Sequence, residues 1–217
     1  MAIGHSDAGP ENPALIINAG GDGRRMGANK ALLPTPPHAR PLLEHMLARL
    51  APLAARPVIV VANDPAVART VQTSLDVRYV TDAYPQSGAL GGIATGLSYS
   101  PGWAWVLACD LPFVDPGLLQ RLAAYAQPHA PVDVVLPRVD GRLQPLHALY
   151  HARALPSMIA FLQTGQRRAL DFLAAARVRE VDEADLDLPD GPFHSFYNAN
   201  TPAEWQAARR RLLSRQP

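Results

Sequence analysis

The chain has 217 residues, 48% of them hydrophobic, with 20 Lys and Arg against 19 Asp and Glu and a formal net charge of +1. An apolar share of this size builds one substantial core, the balanced charge argues against the broad basic field of a nucleic-acid binder, and no apolar run reaches membrane-spanning length. Cys109 is the only cysteine, which rules out an internal disulfide and fits a reducing compartment.

The polar start, residues 1–13, contains Gly4, Gly9, Pro10 and Pro13 and no apolar h-region, so it reads as a disordered lead-in rather than a signal peptide, ahead of a single domain over 14–217. Leu15, Ile16 and Ile17 then make the short apolar run of a buried parallel strand, stopped by Gly20, Gly21 and Gly23. Without Cβ atoms, successive amides there can turn inward as an anion-binding nest, with Arg24, Arg25 and Lys30 adding positive charge. The dinucleotide fingerprint fails because Met26 stands where its third glycine belongs, and the P-loop fails because Lys30 lies between Asn29 and Ala31.

A proline-rich connection, residues 34–41, leads to a helix with Leu42, Leu43, Met46, Leu47 and Leu50 on one face. A second buried strand, Val58 to Val61, ends at Asn63-Asp64-Pro65, and a short helix over 66–75 and a third strand, Val77 to Val80, end at Asp82. Gly88, Gly91 and Gly92 open the next helix, either for close packing or to bring amides to a ligand. The fourth strand, Trp103 to Cys109, runs straight into Asp110, and Asp115 with Pro116 caps the helix that carries Leu118, Leu119 and Leu122. A β-prone run over 132–136, helices over 152–163 and 168–176 and a late strand, Val178 to Val181, follow. Thr201 with Glu204 forms a capping box around Pro202.

Strands alternating with helices imply a parallel sheet covered on both faces, whose ligands bind beyond the carboxyl ends of the strands. Asn18, Asn63, Asp82 and Asp110 each follow an apolar run, so a parallel arrangement brings all four to one edge beside the glycine loop. A carboxylate placed like Asp110 suits Mg²⁺, which takes one or two carboxylates with phosphate oxygens and water; the plainer reading is a turn aspartate. Asp82 reads equally as a hydrogen-bond acceptor for a ligand or a strand end, and the histidines lack metal-ligand spacing.

Ala19-Gly20-Gly21 followed by Arg25-Met26-Gly27-x-x-Lys30 resembles the signature loop of the molybdenum cofactor nucleotidyltransferases. Gln144-Pro145-Leu146-His147-Ala148-Leu149-Tyr150 resembles a strand of that family on the acceptor side of its site, which makes His147 a strand or acceptor-side residue. Phe196-Tyr197-Asn198-Ala199-Asn200-Thr201-Pro202 resembles a further motif, and the similarity runs from Leu15 to Trp205. Three departures stand out: Asn18 replaces the usual leucine, Val61 replaces the first asparagine of Asn-x-Asn, and Ala89 replaces the proline of Gly-Pro-Leu-x-Gly.

The resemblance implies a three-layer α/β/α Rossmann-like nucleotidyltransferase fold with a mostly parallel sheet. It implies a cytoplasmic enzyme that transfers GMP from Mg·GTP to the terminal phosphate of molybdopterin and meets enzymes that deliver or receive the cofactor, with no nucleic-acid or membrane partner. The Gly20-Gly21 pair favours GTP, because in the family Ala-Gly goes with cytidylyl enzymes. Lys30, Arg25 and Asp110 would be catalytic, with Asp110 also the metal ligand; Asn18, Ala19, Gly20, Gly21, Lys30, Asn63, Asp82 and Asp110 would hold the nucleotide, and Gln144, Asn198 and Asn200 the acceptor. Use of CTP, a sugar- or alcohol-phosphate acceptor, and a nucleotide-binding module without catalysis remain alternative readings.

Overall fold

The computed structural model describes residues 12–20, 29–126, 132–189, 191 and 194–214. In chain order the strands and helices are β1 (Ala14–Asn18), β2 (Pro34–Thr35), β3 (Arg40–Pro41), α1 (Leu42–Leu50), β4 (Val58–Val61), α2 (Pro65–Thr70), β5 (Val77–Val80), α3 (Gly88–Leu97) and β6 (Trp103–Ala108). They continue with α4 (Pro116–Ala123), β7 (Val134–Val139), β8 (Arg142–Leu143), β9 (His147–His151), α5 (Leu155–Gln163), α6 (Ala169–Ala175), β10 (Val178–Asp182) and α7 (Pro202–Ser214). The main sheet has the order β10-β7-β9-β6-β1-β4-β5, with β8 paired to β7, while β2 and β3 form a separate small hairpin. That hairpin replaces the plain connection expected over 34–41.

Pairing is parallel for β1 with β4 and β6, β4 with β5, and β10 with β7. β9 is antiparallel to both β6 and β7. Helices cover both faces because the strand residues alternate between them. Leu15, Ile17, Val58, Val60, Trp105 and Leu107 join one core with α1, α4 and α7, whereas Ile16, Ile59, Val61, Ala104 and Val106 join the other with α3, α5 and α6. The three-layer, mostly parallel architecture expected from the sequence is therefore present.

The glycines of α3 serve close packing. A Cβ on Gly96 would overlap the Ile16 side chain, one on Gly92 would overlap Asn18, and one on Gly91 would lie 2.7 Å from the Tyr84 carbonyl oxygen. Gly91 and Gly92 thus meet the close-packing reading: they let the helix lie against Asn18 of β1 and against Tyr84.

Two elements are shorter than the sequence suggests. The helix expected over 66–75 ends at Thr70, because Val71 turns extended (ψ 123°) and the Gln72 amide donates to Glu44 Oε2 at 3.0 Å instead of continuing the helix. The strand expected over 144–150 begins only at His147, since residues 144–146 make the turn in which the His147 amide donates to the Gln144 carbonyl.

Candidate active site

The chain runs from β1 outward through β4 to β5, then returns to place β6 on the other side of β1. Strand order thus reverses between β1 and β6, and in doubly wound sheets ligands bind at the carboxyl edge of such a switch point. The register makes the edge specific. Ala108, Asn18, Val61 and Val80 stand in one paired row across β6, β1, β4 and β5. Asp110, Gly20, Asn63 and Asp82 each lie two residues past that row, so the strand-end residues picked from the sequence share one edge.

Asp110 is buried, and the Lys30 Nζ donates to its Oδ2 at 2.7 Å. The same ammonium donates to Asn200 Oδ1 at 2.6 Å. Lys30 therefore joins the strand-end carboxylate to a segment 170 residues away in sequence. Asn29 positions it: its Oδ1 caps the single helical turn of residues 30–32 by accepting from the Ala31 amide at 3.1 Å. The Asn29 side-chain amide in turn donates to Asp64 Oδ2 at 3.0 Å, which ties the Lys30 turn to the N-cap of α2.

Asn200 is fixed from the other side. Glu204 Oε2 accepts from the amides of Asn200 and Thr201, each at 2.8 Å, and Thr201 Oγ1 accepts from the Glu204 amide at 3.2 Å, the capping box expected from the sequence. The Ala199 amide donates to the Asp110 carbonyl at 3.2 Å, so this segment is also pinned to the metal-candidate aspartate. These backbone bonds hold the Glu204 carboxyl below its ordinary range.

Asp110, Gln144, Asn198 and Asn200 line one pocket of about 250 Å³, with Ala108, Leu111, Pro145, Leu146, His147 and Phe196 forming the rest of its wall. All three residues expected on the acceptor side thus meet there. His147 reaches this edge because β9 runs opposite to β6, pairing its first residue with Leu107. Burial drives the His147 imidazole down to about 3, with the nearby His194 adding to the shift, so His147 is neutral. Burial likewise raises the Cys109 thiol to about 12, and it is an inert core residue.

The nucleotide-side residues are less uniform. Asn18 Oδ1 accepts from the Gly20 amide at 3.3 Å and its Nδ2 donates to the Ala89 carbonyl at 3.3 Å, so this unexpected asparagine links the glycine loop to α3. Asp82 Oδ1 accepts from the Tyr84 amide at 2.9 Å and from Thr95 Oγ1 at 3.0 Å, and Asn63 Oδ1 accepts from the Asp82 amide at 3.1 Å. One oxygen of Asp82 is thus engaged in ending the strand. Val61 is fully buried in the core beneath α3, so no ligand contact comes from its side chain. Gly21 and Arg25, with Arg24, Met26 and Gly27, lie outside the described residues.

The donor set suits a hard divalent cation. Lys30 pairs with Asp110 Oδ2, while Oδ1 is buried without a hydrogen-bond partner among the described residues, so one carboxylate oxygen keeps its lone pairs for a metal. Among the described residues no three His, Cys, Asp or Glu side chains form a metal cage, which leaves a cation at Asp110 to draw its other ligands from phosphate oxygens and water, the usual habit of Mg²⁺. Also among the described residues, no helix is long and apolar enough to cross a membrane.

Sequence reasoning missed the link of Asn29 to Asp64 and the contact of Ser195 with His147. An asparagine just before Lys30-Ala31-Leu32 was a legible cap signal, but its partner 35 residues away was not.

Residues 15–181 match the model of the MobA-like NTP transferase domain. A molybdenum cofactor guanylyltransferase of Vibrio cholerae is 30% identical over 198 residues, 90% of each chain. A probable molybdenum cofactor guanylyltransferase of Chloroflexus aggregans is 36% identical over 86% of this chain and 88% of its own. The crystal structure of molybdopterin-guanine dinucleotide biosynthesis protein A from Archaeoglobus fulgidus superposes with a TM-score of 0.76 at 25% identity, covering 93% of this chain and 99% of that one. By sequence, fold and the arrangement of its strand ends, the chain belongs to the MobA-like NTP transferase family.

Proposed function

We propose that the protein is a molybdenum cofactor guanylyltransferase: it transfers GMP from GTP to the terminal phosphate of molybdopterin and releases pyrophosphate. The observation that carries this reading is the Lys30–Asp110–Asn200 constellation at the mouth of the acceptor-side pocket, on the switch-point edge of the sheet. A phosphate oxygen of the acceptor attacks the α-phosphorus, the new P–O bond forms, and the bond to the β-phosphate bridging oxygen breaks with its electron pair leaving on pyrophosphate. The acceptor is already ionised at neutral pH, so the protein's work is positioning and charge neutralisation.

Lys30 supplies the cation for the triphosphate and leaving group. The glycine loop amides of Ala19, Gly20 and Gly21, with Arg25, cradle the phosphates, and Asn63 and Asp82 lie on the nucleotide side of the edge. Gln144, Asn198 and Asn200 hold the acceptor. A divalent cation, Mg²⁺ in this reading, would sit on Asp110 and screen the phosphate charge, as the unpartnered Oδ1 allows. With Val61 buried, base selection falls to Asn63 and the glycine pair, which keeps a cytidylyl preference as the competing outcome of the test.

Calorimetry with GTP, CTP and ATP, with and without Mg²⁺, on wild type and Asp110→Ala, tests the reading. Metal-dependent preference for GTP, weakened about tenfold or more in the variant, is expected. A preference for CTP moves the protein to cytidylyl transfer, and absence of nucleotide binding overturns the enzyme reading.

A further inference from the structure

The reaction above leaves one buried polar group of the pocket without a task. His147 is 2% exposed and lines the pocket beside Gln144 and Asn198. Its Nε2 lies 3.2 Å from Ser195 Oγ, and its Nδ1 is buried with no hydrogen-bond partner. Ser195 Oγ already accepts from the Asp115 amide at 3.0 Å, so the hydroxyl proton is best used on the imidazole. When Ser195 donates to Nε2, the ring proton of the neutral imidazole resides on Nδ1. A buried N–H without an acceptor costs free energy, and such groups in native proteins are usually completed by water or ligand.

Phe196 lies with its ring centre 4.2 Å from that of His147, and the pocket they share mixes apolar groups, Ala108, Leu111, Pro145 and Leu146, with the polar Asp110, Gln144, Asn198 and Asn200. A neutral donor beside an aromatic ring suits a flat, uncharged heterocycle that offers a ring nitrogen or carbonyl oxygen.

We infer that His147 is a specificity-determining residue of the acceptor pocket, donating from Nδ1 to a ring nitrogen or carbonyl of the acceptor's heterocycle, with Ser195 as the positioning residue that fixes its tautomer. This rests on the guanylyltransferase reading. It gives the pocket a means to reject acceptors that bear a terminal phosphate but no heterocyclic acceptor atom, because those leave the His147 N–H unpaired.

The test exploits side-chain shape. His147→Gln can keep a contact with Ser195 but has no group at the Nδ1 position, whereas His147→Asn places its amide near Nδ1 and loses the Ser195 contact; His147→Phe loses both. Steady-state turnover of wild-type and variant protein with GTP and molybdopterin is followed by pyrophosphate release, and folding is checked by thermal melting. His147→Gln and His147→Phe are expected to raise the acceptor KM about tenfold with the GTP KM within about twofold, and His147→Asn to restore most of the loss. Ser195→Ala, which frees the tautomer, is expected to raise the acceptor KM by a smaller factor and keeps the question answerable if a His147 variant fails to fold.

Wild-type acceptor KM in His147→Gln with a raised one in His147→Asn would make His147 a strut for Ser195 and overturn the inference. Equal changes in both KM values across the set, or an unchanged acceptor KM in Ser195→Ala, would overturn it as well. Wild-type protein that turns over no nucleotide with molybdopterin overturns the underlying reading instead, so the two failures are separable.

Discussion

Lys30 is held by two oxygens from opposite ends of the chain, Asp110 Oδ2 at 2.7 Å and Asn200 Oδ1 at 2.6 Å. Its side chain is 21% exposed and that of Asp110 13%, so the pair is only partly screened by solvent. In the proposed reaction the ammonium and the carboxylate act on the same phosphates, so their effects on turnover are expected not to add. Lys30→Met and Asp110→Asn should each lower the rate of pyrophosphate release about a hundredfold or more. The double variant should lose little beyond the worse single one. Multiplicative losses in single-turnover kinetics would show that the two groups work separately.

Residue identity was the part of the site most readable in advance. Lys30, Asp110, Gln144, Asn198 and Asn200 could all be picked from motifs, and the structure brings all five to one mouth and pocket. What a motif does not reveal is which polar groups are already engaged. Of the two readings of Asp82, the hydrogen bonds of Oδ1 with Tyr84 and Thr95 show the strand-ending one, and the departure at Asn18 places a side chain that joins Gly20 to Ala89.

Among the elements, the contact of α3 with β1 is the most exacting. Its glycines admit Ile16 and Asn18 where a methyl group would collide. Gly96→Ala gains about 1 kcal/mol of helix propensity but forces overpacking that costs about 1–3 kcal/mol, so a net loss of stability is expected. The melting temperature should fall, by roughly 2–4 °C for each kcal/mol lost in a chain of this size. Ile16→Ala should cost less in the Gly96→Ala background than alone, because the two sites share one contact. Equal costs in both backgrounds, measured by denaturant unfolding, would place the strain elsewhere.

Element type followed from local pattern: apolar runs of four to six residues became central strands, and stripes at helical spacing became α1, α4 and α7. Element ends did not, where a distant partner decided them. α2 stops at Thr70 because Glu44, on α1, captures the Gln72 amide, and nothing between residues 65 and 75 announces that. The reversed direction of β9 was equally silent, since the Gln144–Tyr150 motif says nothing about which neighbours it will pair with.

At the scale of the whole molecule, acid should unfold the protein through its buried histidines before most carboxylates titrate. His147 in the folded state takes up a proton only near pH 3, whereas the unfolded chain takes it up near 6.5. Between those values the unfolded state binds more protons, so stability rises with pH there and is lost as pH falls from 6.5 towards 3. Burial also lowers His45 and His194, which adds to the same slope. At Asp133, burial alone would raise the carboxyl, but hydrogen bonds from Arg177 and Arg153 outweigh it and leave the group below its usual range. That clamp across β7, β9 and β10 is lost only as the pH falls below the ordinary carboxylate range. Urea unfolding of His147→Gln across this window should show a shallower decline than wild type; parallel curves would mean that the imidazole is not held neutral.

The Lys30–Asn200 bond also has a meaning for how the protein comes into being. Chains are made from the amino end, at roughly 5–20 residues per second, and domains tend to fold in that order. All the strands of the sheet precede residue 183, and the matched family segment ends at residue 181, yet the arm that reaches Lys30 comes later. A nascent chain that ends just after β10 holds every strand of the sheet but lacks Phe196, Asn198 and Asn200, so part of the pocket wall is made last. The pocket is therefore complete only when the Thr201–Glu204 cap sets Asn200 against the lysine.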